Sequence, residues 1–114
     1  MIQLDEPARF DYTGDRAYKK GRTFIKIFTF DEAVFGEMSG CTFAMKLKKN
    51  YDDASGVDFV CSFNTTTNEL TFELPNSTAD LLNTGEYIAD IKVTESGKPY
   101  QVAEGVIEIR DTVT

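Results

Sequence analysis

An all-β fold of packed sheets is predicted by three features of the sequence. Apolar and polar side chains alternate through the middle and the last third of the chain, the breaks between these runs are filled with Asn, Asp, Ser, Gly and Pro, and helical spacing persists for no more than a single turn. A chain of 114 residues is long enough for one hydrophobic core and too short for two, so a single domain over residues 1–114 is expected.

The elements follow in order. "RTFIKIFTF", residues 22–30, is rich in β-branched and aromatic residues but carries apolar side chains on both phases, which predicts an inner strand or one covered at an end. "CTFAMKLK", residues 41–48, puts Cys41, Phe43, Met45 and Leu47 on one face of a half-buried strand. "VDFVCSF", residues 57–63, aligns Val57, Phe59, Cys61 and Phe63, and "ELTFEL" aligns Leu70, Phe72 and Leu74. An antiparallel hairpin of 41–47 with 57–63, centred near Asp52, would oppose Cys41 to Phe63 and Cys61 to Phe43. The two thiols are then diagonal neighbours, a poor geometry for a disulfide, and are expected to be free. "NSTADLL" allows one helical turn, with Ser77 or Thr78 as its cap and Gly85 beyond its end. "EYIADIKV" and "VAEGVIEI" form the last two strands, joined by a turn at "SGKP", residues 96–99. With a short strand near the N-terminus the total is about seven strands.

The stretch "LLNTGEYIA" gives these strands an arrangement. Immunoglobulin-like sandwiches often carry a tyrosine corner, a Tyr at the start of strand F whose hydroxyl bonds to backbone just upstream. Asn83 and Gly85 precede Tyr87 in that manner, and Ala89 stands where antibody domains place their second cysteine. The fold class is therefore an all-β, immunoglobulin-like β-sandwich of about seven antiparallel strands, without the inter-sheet disulfide. The alternative is an ordinary buried tyrosine in another β fold.

Over residues 17–114 the chain resembles the Ig-like domain of tailed-phage virion proteins, including the N-terminal domain of the phage baseplate upper protein family. The resemblance is carried by Gly21 before "RTFIKIFTF", by Ser39-Gly40 leading into a strand that ends in basic residues, and by Gly85-x-Tyr87 followed by Asp90. It continues through the Gly97 turn, Gly105 before the last strand, and the closing Asp-Thr-Val-Thr. These are scaffold positions. The resemblance implies a virion location, synthesis in the cytoplasm of a bacterial host, and other virion proteins as partners.

The composition removes several chemistries. The chain has no His, which excludes Ser-His and Cys-His nucleophile pairs and takes away the commonest ligand for zinc, copper and iron. Its 19 acidic residues are scattered and single out no pair for sugar hydrolysis. Asp52, Asp53, Ser55 and Asp58 in "YDDASGVD" fail the spacing of a helix-loop-helix calcium site. No catalytic residue, cofactor or metal is expected, and the chain reads as a non-enzyme. A formal charge of −7 argues against direct nucleic-acid contact. The opening "MIQLDEPARFDYTGD" lacks the pattern of a signal peptide, and no apolar run approaches the roughly 20 residues that span a bilayer, so membrane insertion is not expected.

The expected function is structural: a subunit of a tail, baseplate, neck or head that acts through protein–protein contacts, as a homo-oligomer, by its edge strands and by residues 1–20 acting as an N-terminal arm. Arg16, Lys19, Lys20 and Arg22 are the candidate interface residues. They read either as a solvated strand margin or as a docking patch for an acidic surface, another copy included. A second expectation, of a different class, is a module that binds a host-surface glycan or protein, with Tyr12, Tyr18, Tyr51 and Tyr100 as ring-stacking residues.

Overall fold

In the computed structural model of the chain, the described residues are 8–36, 38, 40–50 and 56–111. They form nine strands: β1 (Ala8–Tyr12), β2 (Tyr18–Lys19), β3 (Ile25–Thr29), β4 (Thr42–Lys48), β5 (Val57–Asp58), β6 (Val60–Asn64), β7 (Glu69–Glu73), β8 (Gly85–Glu95) and β9 (Lys98–Arg110). Two single helical turns, α1 (Glu32–Phe35) and α2 (Asn76–Ala79), interrupt them. One sheet has the order β1-β9-β8-β4-β5, with β2 also on β9; the other has the order β3-β7-β6. Lettered by the immunoglobulin convention, with β3 as strand B, the small sheet is B-E-D and the large one is G-F-C extended by C′. The chain is an immunoglobulin-like β-sandwich.

The inner faces are those that the alternation marks out. Met45, Leu47, Leu70, Phe72, Leu74, Tyr87, Ala89, Ile91, Val93, Ile107 and Ile109 are all buried. Phe43 of the large sheet stacks on Phe63 of the small one with ring centroids 4.3 Å apart, and Phe30 stands edge-on to Phe35 at 5.2 Å. Such pairs add roughly 0.5–1.5 kcal/mol each beyond the area they bury. Tyr87 makes the tyrosine corner: its hydroxyl donates to the Asn83 carbonyl at 2.8 Å. The β8–β9 hairpin turns on Ser96 and Gly97, both at positive φ (50° and 81°), the backbone of a type I′ turn, whose twist matches that of the strands.

Several expectations are corrected. The described residues form nine strands rather than about seven, and not every pairing is antiparallel, because β1 and β2 both run parallel to β9. Residues 8–20 are therefore part of the sandwich and not a detached arm; Tyr18 is 1% exposed, and residues 1–7 lie outside the described residues. The hairpin of 41–47 with 57–63 keeps its expected register but only at its closed end. Lys46 pairs with Asp58, Leu47 with Val57, and the Phe59 amide donates to the Met45 carbonyl at 2.9 Å. Beyond buried Phe59 the chain crosses to the other sheet, and Val60–Asn64 pairs with β7. Cys41 and Cys61 are not joined in a disulfide, and both are half-buried.

The β3 strand is neither inner nor covered: it pairs only with β7 among the described strands, and Ile25 and Ile27 are 48% and 57% exposed. The turn α2 is flanked by Pro75 at the cap position instead of Ser77 or Thr78, and Thr78 Oγ1 donates back to the Pro75 carbonyl at 3.2 Å. The turn α1 was not expected; Asp31 Oδ1 caps it by accepting from the Ala33 amide at 3.0 Å.

Gly105 lies inside β9 and not before it, and its place explains β1. A Cβ there would stand 2.0 Å from the Phe10 carbonyl oxygen and 2.5 Å from its ring, so only glycine lets β1 dock against β9 in this register. Gly105→Ala is expected to force β1 off the sheet, costing about 1–3 kcal/mol by analogy with overpacked cores. A lowered urea midpoint, with increased proteolytic cleavage near Phe10, would register it. An unchanged midpoint would mean that β1 contributes nothing to stability.

Candidate functional site

Arg16, Lys19, Lys20 and Arg22 lie on one segment that runs along the edge of the large sheet and turns towards β3. Arg16 ends a single 3-10 turn (Gly14–Arg16) between β1 and β2 and is exposed. Lys19 is in register with Arg110 of β9, and the Lys20 amide donates to the Arg110 carbonyl at 3.0 Å. Lys20 Nζ also stands 3.9 Å from Asp111 Oδ1. Arg22 closes a turn by donating its amide to the Lys19 carbonyl at 3.0 Å, and its side chain is exposed. The four thus share a segment, and Arg16 and Arg22 present the exposed charges.

What fixes this segment is a partly buried polar knot. The Tyr18 hydroxyl donates to Asp80 Oδ1 just beyond α2, and the Gly21 amide donates to the same oxygen at 3.1 Å. Asn76 Nδ2 donates both to the Tyr18 hydroxyl oxygen at 2.6 Å and to the Arg22 carbonyl at 2.8 Å. Burial, and then the bond to Asp80, push the Tyr18 phenol above its ordinary value. Burial does the same at Tyr12, against a smaller opposing pull from Arg16. No local pattern in the sequence links Tyr18 to Asp80, which are 62 positions apart. The knot was not legible.

The two outer faces differ in chemistry. On the large sheet the registers align Arg9, Glu104, Asp90, Lys46 and Asp58 across successive strands. Arg9 pairs with Glu104 at 2.8 Å and Lys46 with Asp58 at 3.5 Å, while Gln101 Nε2 reaches Asp90 at 3.4 Å and Glu104 at 3.3 Å. Along this row the charges are paired across strands. On the small sheet the outward rows are Ile25–Glu73–Val60, Ile27–Thr71–Ser62 and Thr29–Glu69–Asn64. It carries no basic residue, and Ile25, Ile27 and Val60 are 48%, 57% and 61% exposed. Lys26 is on the opposite phase, with its ammonium 5.6 Å from the centre of the Tyr12 ring and 5.2 Å from that of Phe24.

Of the ring-stacking set, Tyr100 is half-buried. Tyr18 is buried, Tyr12 is half-buried and meets Phe24 edge-on at 5.6 Å, and Tyr51 lies outside the described residues. An open cleft of about 580 Å³ sits beyond the end of β3, between Asp31, Glu32, Met38 and the β6–β7 turn. Its polar groups are used locally: Asp31 caps α1, and Asn64 Oδ1 accepts from the Thr66 and Thr67 amides at 2.9 and 3.3 Å. Among the described residues no group of three or more metal-ligating side chains converges. Of the acidic loop, Asp52, Asp53 and Ser55 lie outside the described residues, and Asp58 faces Lys46. No model of a known protein family matches the chain, and no curated protein matches it either.

The knot has a measurable signature. In the unfolded chain tyrosine titrates near pH 10, and the folded values at Tyr12 and Tyr18 lie higher. Their contribution to stability is therefore intact below about pH 10 and is lost as pH rises through the folded values. Tyr18→Phe is expected to cost about 1–3 kcal/mol at neutral pH and to flatten the alkaline decline, read from urea midpoints between pH 8 and pH 12. An equally steep decline in the variant would place its origin elsewhere.

Proposed function

We propose that the chain is a non-catalytic structural subunit that works by protein–protein contact, assembled with further copies of itself and with other proteins of a tailed-phage virion. The observation that carries the contact reading is the outer face of the small sheet. A lone exposed Ile on a sandwich would call for no explanation, but Ile25, Ile27 and Val60 share one face, and that face ends at a strand edge. Surfaces of this kind are commonly covered by another protein.

The virion setting rests on the sequence resemblance. Two of its glycines have structural uses here that fit a scaffold role: Gly97 makes the hairpin turn and Gly105 admits β1. Tyr87 likewise ties strand F to the loop before it. The basic segment is a second contact surface, suited to an acidic neighbour, since Arg22 is held by the Lys19–Arg22 turn and by the Asn76 amide on its carbonyl, and Arg16 by the bond of its amide to the Thr13 carbonyl.

Native mass by light scattering across a concentration series is the first test: a defined oligomer is expected, and a monomer throughout would overturn self-assembly. Quantitative mass spectrometry of purified tailed-phage particles encoding the chain should find it at a fixed copy number. Its absence from the particle would overturn the virion reading while leaving the mass result intact.

A further inference from the structure

We infer that the free edge of β3 pairs with the β3 edge of a second copy, antiparallel and centred on Ile27, so that the two small sheets join into one continuous sheet. This rests on the self-assembly reading above and names its surface.

The backbone supplies the first argument. The Phe24 carbonyl accepts from the Leu74 amide at 3.1 Å and the Phe30 amide donates to the Asn68 carbonyl at 2.9 Å. In an antiparallel pair the bonded residues alternate. Phe24, Lys26, Phe28 and Phe30 thus spend their peptide groups on β7, while those of Ile25, Ile27 and Thr29 point away from it. Among the described strands none faces them.

The side chains supply the second. Sandwich edges are commonly guarded by outward Lys or Glu, by Pro or by a bulge. Here the outward positions of the edge strand are Ile25, Ile27 and Thr29, all uncharged and exposed in a chain of net charge −7. The strand's cation, Lys26, is turned inward over the Tyr12 and Phe24 rings. An inward charge can itself guard an edge, but this one is drawn beneath the strand and leaves the outer side bare.

Charge at the strand's ends supplies the third and selects the direction. Arg22 precedes β3 and Glu32 follows it, and both are exposed. Each stands five residues from Ile27, so an antiparallel seam centred there brings the Arg22 end of one β3 to the Glu32 end of the other, twice, by two-fold symmetry. The same register opposes Lys26 to Phe28 and puts no like charges across the seam. A parallel seam would oppose Arg22 to Arg22 and Lys26 to Lys26.

The test combines sedimentation velocity with amide hydrogen exchange on the full chain. A reversible dimer is expected, with exchange at the Ile25, Ile27 and Thr29 amides slowed about tenfold or more as the dimer fills, while the Lys26 and Phe28 amides stay protected throughout. Arg22→Glu should raise the dissociation constant about tenfold, and adding Glu32→Arg should restore it. Ile27→Lys should leave a folded monomer. An oligomer insensitive to these changes, with the three edge amides exchanging freely at every concentration, would overturn the seam and leave self-assembly standing. A monomer at every concentration would overturn both. Edge amides protected at all concentrations and released by removing residues 1–7 would give the edge to the chain's own N-terminus and also overturn the seam.

Discussion

The Tyr18 hydroxyl is the point on which the N-terminal part of the structure depends. It sits at the margin of the core on a side chain that is itself buried, where a phenol without partners would cost on the order of 1–3 kcal/mol, and it has both a carboxylate acceptor and an amide donor. The partners come from the segment around α2, while the ring fills the space beside Phe24, which it meets edge-on at 6.1 Å. One side chain therefore fastens β2, the turn that leads into β3, and the connection between strands E and F. Asp80 binds the Gly21 amide with the same oxygen, so the turn and the tyrosine cannot shift independently.

Once that corner is fixed, the two sheets are free to serve different ends. The large sheet is wide, has β8 and β9 at its centre, and pairs Arg9 with Glu104 and Lys46 with Asp58 across strands on its outer face, each pair contributing no more than about 1 kcal/mol when exposed. The small sheet is narrow and has β7 flanked by two edge strands. Apart from Asn64, its outward side chains are β-branched or hydroxylic around Glu69 and Glu73. The first arrangement keeps a surface in water, and the second leaves a surface whose exposed apolar groups gain from being covered.

Much of the interior was legible because strand alternation is a direct record of which side is wet. Met45, Leu47, Leu70, Phe72, Leu74, Tyr87, Ile91 and Ile109 fall on the inner side by spacing alone, and all are buried. The tyrosine corner was legible because its donor and acceptor are four residues apart. The sheet change at Phe59 was not, since Val57, Phe59, Cys61 and Phe63 keep one unbroken phase through the crossing; the side chains face the same core whichever sheet carries them. "RTFIKIFTF" misled for the opposite reason. Its second apolar phase predicts cover, but Ile25 and Ile27 are in the open. Apolar character reports an affinity for burial and not the partner that provides it. Of the candidate interface residues, composition located Arg16, Lys19, Lys20 and Arg22, but only the fold shows Lys20 beside Asp111 and Arg22 at the head of a free strand.

The parallel alignment of β1 with β9 has a mechanical consequence. Ala8 lies beside Ala103, and β9 continues through Arg110, so the described chain begins partway along β9 and leaves at its far end. A force that separates those ends pulls β1 backwards along β9, loading the register from Ala8–Ala103 to Tyr12–Ile107 in shear. Bonds sheared along a ladder share the load and must fail together, whereas bonds peeled from a hairpin fail one at a time. Tension between these ends is thus met first by a clamp at the surface of the sandwich, and the core behind it is strained only after β1 has slipped.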